Sequence, residues 1–323
     1  MNLSTTLRRA KAPLALTAAV MLAASACGGG DAGSGGSGDE LSGTVKIDGS
    51  STVAPLTSAA SEFYAEEQPK VRVTVATSGT GGGFKKFCVG ETDISNASRP
   101  IKDEEIATCK DNSIEYQQFS VANDGLSVVV SKDNDWAECL TVEQLKKIWE
   151  PGSKVNNWNQ VDSKFPDEPL KLFGAGTDSG TFDYFTEAIN GEEGASRTDY
   201  SGSEDDNVTV TGVSGTKGGM GYFGFSYYEE NADKLKLLQV DGGDGCVTPS
   251  VETVQDGSYK PLGRQLFIYP SAKALQRPEV VDFVEYHVEN NKKIAEDSKF
   301  IPLNAEQEKE LEAALATLKE AAK

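Results

Sequence analysis

Three stretches of the chain share an arrangement that can do chemistry. Ser50-Ser51-Thr52, Gly79-Thr80-Gly81-Gly82-Gly83 and Thr177-Asp178-Ser179-Gly180-Thr181 each stand between a strand-like run and an amphipathic run of helical spacing. A helix that starts straight after such a loop offers free backbone N–H groups and the positive end of its dipole. Each hydroxyl adds a donor, and glycines let the backbone come close to a ligand. A fourth stretch, Ala97-Ser98-Arg99-Pro100, adds one more hydroxyl and a guanidinium whose fork suits a tetrahedral oxyanion. Any one of these loops is most simply a helix cap. Three of them at the carboxyl ends of strands, where α/β proteins bind ligands, together with an arginine, point to an anion site. The pattern by itself does not say which anion.

Other chemistries lack their residues. Gly79 to Lys85 superficially suggests a nucleotide-phosphate loop, but no Gly-Lys-Ser/Thr follows. Gly176-x-x-Ser179-Gly180 does not match the Gly-x-Ser-x-Gly of a nucleophile elbow. The single histidine, His287, sits in an amphipathic run and reads as a packed or surface residue rather than a catalytic base. Asp241-Gly-Gly-Asp-Gly245 lacks the spacing and distal Glu of a calcium loop and reads as a turn. Ser203-Glu-Asp-Asp-Asn207 reads as a solvated loop. No metal or cofactor is expected, and the chain reads as a binding protein rather than an enzyme.

The elements that must position the loops follow from periodicity. Gly43 to Asp48 and Val71 to Thr77 alternate and are β-branched, so they read as strands. Leu56, Ala59, Ala60 and Phe63 share one helical face, and Phe84, Phe87 and Cys88 form the stripe of a second helix. Asp93 to Ser98 is a short strand, with helix again from Ile101. Leu126 to Val130 is apolar enough for a central strand, and Thr141-Val-Glu-Gln144 is a capping box for a helix that Pro151-Gly152 stops. Leu170 to Phe173 is a strand leading through the third loop into a helix carrying Phe182, Phe185 and Ile189. The Gly-rich, aromatic run 218–225 reads as a tightly packed strand, and Gln265 to Tyr269 is the last one. Two helices close the chain, one with Val280, Val281, Val284 and His287, the other with Leu311, Ala314, Leu315 and Leu318. Repeated strand–loop–helix punctuation is the signature of α/β architecture with a mainly parallel sheet.

The N-terminus reads as an export signal. Arg8, Arg9 and Lys11 precede the Ala/Leu-rich run Ala12 to Ala26, which at about fifteen residues is too short to span a bilayer but normal for a signal peptide. No apolar pair follows Arg8-Arg9, so the general secretory route fits better than the twin-arginine one. The run ends in Ala24-Ser25-Ala26-Cys27, which resembles a bacterial lipobox with Ala in place of the usual Leu. Residues 1–26 are thus expected to be removed and Cys27 to be lipidated, palmitate included. Residues 27–41, rich in Gly and Ser, would tether the body with a span of roughly 20 Å. The expected location is the extracytoplasmic face of the cell membrane, with the bilayer reached through Cys27.

Loss of residues 1–26 leaves 28 basic against 50 acidic residues, a net charge of −22. That argues against nucleic acid or an anionic lipid surface as a partner. Long-range repulsion of an anion is damped within about 8 Å at physiological ionic strength, so a closed site of contact donors can coexist with an acidic exterior. Beyond Cys27 the four cysteines Cys88, Cys109, Cys139 and Cys246 are an even number in an oxidising compartment and are expected as disulfides. Three pairings exist, and proximity favours Cys88–Cys109, leaving Cys139–Cys246.

Asp48-Gly-Ser-Ser-Thr-Val-Ala-Pro55, Ser78-Gly-Thr-Gly-Gly-Gly-Phe-Lys85, Asn96-Ala-Ser-Arg-Pro-Ile101 and Thr177-Asp-Ser-Gly-Thr-Phe182 occur in this order and at these separations. Together they resemble the PstS family, the phosphate-binding subunits of phosphate-specific ABC transporters, over about Val45 to Tyr269. The resemblance implies a two-lobed, type II periplasmic-binding-protein-like α/β fold with a hinge of two crossings. Lobe I would comprise residues 42–124 and 255–323, and lobe II residues 125–254. It implies a monomeric receptor that closes over inorganic phosphate and delivers it to ABC permease membrane subunits. Carried over by residue, Thr52 and Val53 match the first-loop ligands, with Ser51 beside them. Thr80 matches the hydroxyl of the glycine loop, and Ser179, Gly180 and Thr181 match the second-lobe helix start. Two positions depart from the well-studied branch: Ala175 stands where it has an Arg, and Ser98 where it has the Asp that accepts the phosphate proton. Arg99 is expected to replace the missing cation. Asp178, with Asp124 as second candidate, is expected to take the proton. Other tetrahedral oxyanions such as sulfate or a phosphonate remain alternatives, and a secreted hydrolase using Ser179 is a more distant one.

Overall fold

The structure, a computed structural model, describes residues 41–323. The expected leader, Cys27 and all of the tether except Leu41 lie outside the described residues. Nine strands form one mixed sheet. Its main path runs, by residue range, Val71–Thr77, Gly43–Gly49, Ile94–Ala97, Gly263–Pro270, Phe119–Ser131, Gly219–Gly224, Lys171–Ala175 and Ser201–Ser203, with Leu235–Leu237 added beside Phe119–Ser131. Pairing is parallel at both ends of this path and antiparallel in the middle. Every antiparallel pairing of the large sheet involves Phe119–Ser131 or Gly263–Pro270. The parallel ends are the strand–loop–helix units read from periodicity. The antiparallel middle arises because two strands joined to distant parts of the chain are inserted between those units.

Phe119–Ser131 extends well beyond the five apolar residues that marked it, to 13 residues that are almost all buried. Its first half belongs with a core built from Val45, Leu56, Phe119, Leu266, Phe283 and Leu311. Its second half belongs with a second core built around Leu126, Trp149, Trp158, Phe185 and Tyr222. In the second core Phe185 stacks on Tyr222 at a centroid separation of 3.7 Å. Burial of such rings stabilises each half by roughly 25 cal/mol per Å² of apolar area removed from water.

Local signals act as the residues predict. Thr141 accepts from the Gln144 amide at 3.1 Å and Gln144 Oε1 accepts from the Thr141 amide at 2.9 Å, closing the capping box of helix Val142–Trp149. Asp241 caps its turn by accepting from Gly243 and Gly245. Cys88–Cys109 and Cys139–Cys246 are both formed, the second tying a small three-stranded sheet together. The acidic run 203–207 is not a solvated loop. Asp205 accepts from the Asn207 amide and caps the helix Asp206–Ser214, while Ser201–Ser203 adds a short strand to the sheet. The density of charge in this run masks the capping position of Asp205. No helix among the described residues is long and apolar enough to cross a membrane.

Candidate functional site

The first loop leaves the strand Gly43–Gly49 and enters the helix Ala54–Glu67, whose Pro55 is preset for a first turn. Gly49 sits at φ +141° with the Asn96 carbonyl 2.1 Å from where a Cβ would stand, so no side chain fits there. Asp48 organises the first two loops. Its buried carboxylate accepts from the Gly49 amide at 2.8 Å and from Ser78 Oγ at 2.8 Å, and it pairs with Lys86. One side chain therefore ties the first loop to the start and the last turn of the glycine-loop helix Gly79–Phe87. Burial works to raise the Asp48 pKa, but the bonds from Lys86 and Ser78 outweigh it and hold the group below the ordinary carboxylate value.

These loops line a small polar cavity. Ser50, Ser51, Thr52, Gly79, Thr80 and Ser98 line one side, with Arg264 and, opposite, Asp183, Tyr184, Glu187 and Glu193. Thr80 Oγ1 lies 3.0 Å from Ser98 Oγ and accepts from the Ser98 amide at 3.2 Å. Thr52 Oγ1 donates to the Gly180 carbonyl at 3.3 Å. Gly180 has no room for a Cβ, which would stand 2.8 Å from Thr52 Oγ1 and 2.9 Å from its Cα, so the first and third loops are pressed together through this glycine. Ser51 donates to Asp183 at 3.1 Å, a second link between them.

Arg264 was missed from sequence and is the cation of this cavity. It opens the strand Gly263–Pro270, stacks on the Tyr184 ring at 3.4 Å from the centroid, and donates to Thr52 Oγ1 at 3.1 Å and the Ser98 carbonyl at 3.3 Å. Its Nε donates to Asp124 at 3.3 Å. The available signal was a charged residue leading an otherwise apolar strand, but its partners lie about 80 to 210 residues away in the chain.

The other expected residues fall in three places. Val53 is fully buried in the first core and caps the first helix. Arg99 donates through both terminal nitrogens to Glu105, at 2.9 and 2.8 Å, and lies in an apolar groove that adjoins the cavity and shares Ser98, Tyr184, Glu187 and Arg264 with it. Burial acts to raise the Glu105 pKa, and the Arg99 bonds win and lower it. Ser179 Oγ accepts from the Thr181 amide at 3.1 Å as a helix cap, Asp178 is exposed, and Thr181 lines a neighbouring cavity with Asn123, Asp124 and Asp206. Asp124 is buried, and that burial raises its pKa against the opposing pull of Arg264. Desolvation likewise pushes Asp206 up to about 6.

The helix Gly180–Phe185 passes into a π-turn at Thr186–Asn190. Thr186 Oγ1 donates to the Phe182 carbonyl at 2.8 Å and accepts from the Gly194 amide at 2.8 Å. That widened turn holds Glu187 and the following loop with Glu193 beside the cavity. No group of His, Cys, Asp and Glu among the described residues is arranged to hold a metal ion. The assembly of five Ser and Thr hydroxyls, one fixed guanidinium and two loop-to-helix starts can coordinate a small oxyanion without covalent chemistry.

Residues 34–291 match the model of the PBP superfamily domain. Protein SphX of Synechocystis sp. is 47% identical over 270 residues, 83% of this chain and 80% of that one. The phosphate-binding protein PstS of Staphylococcus saprophyticus is 43% identical over 280 residues, 86% of this chain and 85% of its own. A crystal structure from Planctomyces limnophilus, described as that of a possible phosphate binding protein, superposes with a TM-score of 0.84 at 47% identity, covering 86% of this chain and 99% of the other. With its mixed sheet, its paired cores and these relatives, the chain belongs to the PstS family of the PBP superfamily.

Proposed function

We propose that this protein captures inorganic phosphate on the extracytoplasmic side of the membrane and delivers it to an ABC importer. The observation that carries the reading is the convergence of Ser51, Thr52, Thr80 and Ser98 on one small cavity with Arg264 fixed at its wall. Relatives named as phosphate-binding proteins support the choice of phosphate among tetrahedral oxyanions. In this reading Ser51, Thr52, Thr80, Ser98 and the Val53 and Gly180 backbone donate to the anion, and Arg264 supplies the charge. Ser179 and Thr181 turn towards the anion when it is bound, and Arg99 serves the mouth through the adjoining groove. Asp183, which lines the cavity, is better placed than the exposed Asp178 to share a proton with the bound anion.

In this reading the lobes are residues 42–124 with 255–323 and residues 125–254; the first core lies within the first, and the second lies mostly within the second, joined by Tyr259, Leu262 and Ile301. One crossing falls within the strand Phe119–Ser131 and the other at the end of the helix Val251–Gln255, and on these the lobes close. A lipidated Cys27 would hold the monomeric receptor at the bilayer within reach of the permease. A binding role rather than hydrolysis agrees with Ser179 being occupied as a helix cap and with His287 being fully buried in its helix.

Calorimetric titration of the purified protein with phosphate, sulfate and arsenate between pH 5 and 8 tests the reading. Tight binding of phosphate and arsenate with weak sulfate binding is expected. Equal affinity for sulfate would make the protein a general oxyanion receptor, and absence of heat with all three would end the proposal.

A further inference from the structure

The anion cavity has an imbalance of charge. Among the described residues Arg264 is the one cation lining it, and Asp183, Glu187 and Glu193 line it too. Arg264 is moreover shared with Asp124 at 3.3 Å. Arg99, the nearest other guanidinium, is committed to Glu105 by two hydrogen bonds. An incoming phosphate therefore meets a wall that is already net negative, in a space from which most water is displaced on closure. Charges a few ångströms apart repel by several kcal/mol at the effective dielectric of a partly buried site, so a bound anion opposes ionisation of the half-buried Asp183 and, more weakly, of Glu187 and Glu193 at the exposed rim.

We propose, resting on the phosphate reading above, that the site takes up a proton from solvent together with its anion, and that Asp183 and Glu193 are the groups that hold it. Once neutral, a carboxyl changes from a repelling acceptor to a donor towards a phosphate oxygen. Asp183 is placed for this by its helix: it lies half-buried in the first turn, lines the cavity and accepts from Ser51 at 3.1 Å. Glu187 follows one turn later on the same face, and Glu193 approaches from the loop that Thr186 anchors. The charged groups facing the pair are accounted for: Arg264 from the strand Gly263–Pro270, Glu187 from the π-turn, and the Glu105-paired Arg99 at the groove. Partial desolvation raises both pKa values before any anion enters, for Asp183 in its half-buried position and for Glu193 even at the exposed rim. For Asp183 this outweighs the Ser51 bond and Arg264, and for Glu193 it is reinforced by the charges of Asp183 and Glu187. The bound anion adds another negative charge and moves both further in the same direction. The consequence is a receptor that binds phosphate more tightly in mildly acidic surroundings and releases a proton with its cargo.

The test is titration of phosphate into the purified protein at pH 7.5 in two buffers of different ionisation enthalpy, with the Asp183→Asn/Glu193→Gln variant in parallel. The wild type is expected to take up about one proton per anion, and the variant less than half as much. Any proton taken by the phosphate itself survives in the variant and is thereby subtracted. At pH 8 the variant should bind about tenfold more tightly, because neutral amides replace ionised carboxylates. If the double variant unfolds, Glu193→Gln alone, at the exposed rim, gives the same shift with smaller amplitude. Phosphate binding with equal proton uptake in wild type and variant overturns the inference and leaves the phosphate reading standing. No phosphate binding by the wild type overturns both.

Discussion

Arg264 and Asp124 are direct cross-strand partners, and their side chains meet at 3.3 Å on the line where the two long central strands pair. Both are nearly sequestered, with 14% and 8% of their side chains exposed, so neither is solvated well enough to be charged alone. The pair thus couples the cation of the anion cavity to the backbone that joins the two cores. Its stability and its ligand chemistry are separable by mutation.

Arg264→Met should lower phosphate affinity on the order of a hundredfold, the loss of charged hydrogen bonds to a desolvated anion. It should also destabilise the fold by about 3 kcal/mol or more by leaving the Asp124 carboxylate unpaired. Burial already raises the Asp124 pKa, so this penalty is absent at low pH, where the group is neutral, and grows as pH rises through its folded value. Adding Asp124→Asn should recover most of the stability and none of the binding. Urea unfolding and calorimetry on the two variants separate these effects, and recovery of binding in the double variant would contradict the role given to Arg264.

Arg99→Ala should cost less than about tenfold in affinity, since its guanidinium is held by Glu105 away from the hydroxyl cluster. Glu105 keeps the Lys102 amide as a donor at 2.8 Å, so the helix it caps persists. The same titration decides: a hundredfold loss would mean that Arg99 leaves Glu105 and reaches the anion on binding.

Asp48→Ala should lower affinity by about tenfold and stability by about 2 kcal/mol, though the carboxylate does not line the cavity. The mutation releases Gly49, Ser78 and Lys86 at once, and with them the geometry of the first two loops. Because the folded-state pKa is depressed, the contribution is complete above the ordinary carboxylate value and fades as pH falls below it. Asp48→Asn, which still accepts from Ser78, should retain more binding than Asp48→Ala. Equal loss in the two would reduce the role to one of charge alone.

His287 predicts an acid-labile first core. It is fully buried beside Phe283, its ring nitrogens find no hydrogen-bond partner, and burial pulls its pKa down to about 4. The fold therefore favours the neutral ring: the stability is intact above the unfolded value of 6.5 and is lost as pH falls towards 4. Between pH 7.5 and 5 the loss should be about 2 kcal/mol in urea unfolding, and His287→Phe should flatten that dependence. An equally steep profile in the variant would locate the acid sensitivity elsewhere.

Much of this protein was legible in its residues because the signals are local. Val71 to Thr77 folds as the strand its alternation predicts, and Thr141 with Gln144 makes the expected capping box. Thr52, Thr80 and Ser98 meet in one cavity because each ends a strand of neighbouring units in a parallel sheet, so their common edge follows from order alone. Proximity along the chain narrows the cysteine pairing, and both bridges form as expected.

What the sequence by itself determined is therefore an α/β chain carrying hydroxyl-rich loops at its strand ends, within a recognisable family pattern. Tertiary structure alone decided which cation serves those loops. Arg99 lies next to Ser98 in the chain, yet Glu105 six residues on captures it, since a bidentate partner on the adjoining helix is always within reach. Arg264, 212 residues from Thr52, reaches its hydroxyl only because antiparallel pairing sets Arg264 opposite Asp124 at the head of the strand. The same holds for Asp183, Glu187 and Glu193, whose approach to the cavity depends on a π-turn and on how closely Gly180 lets the third loop press against Thr52. Long-range register and close packing are properties of the assembled sheet, and no spacing of residue types encodes them.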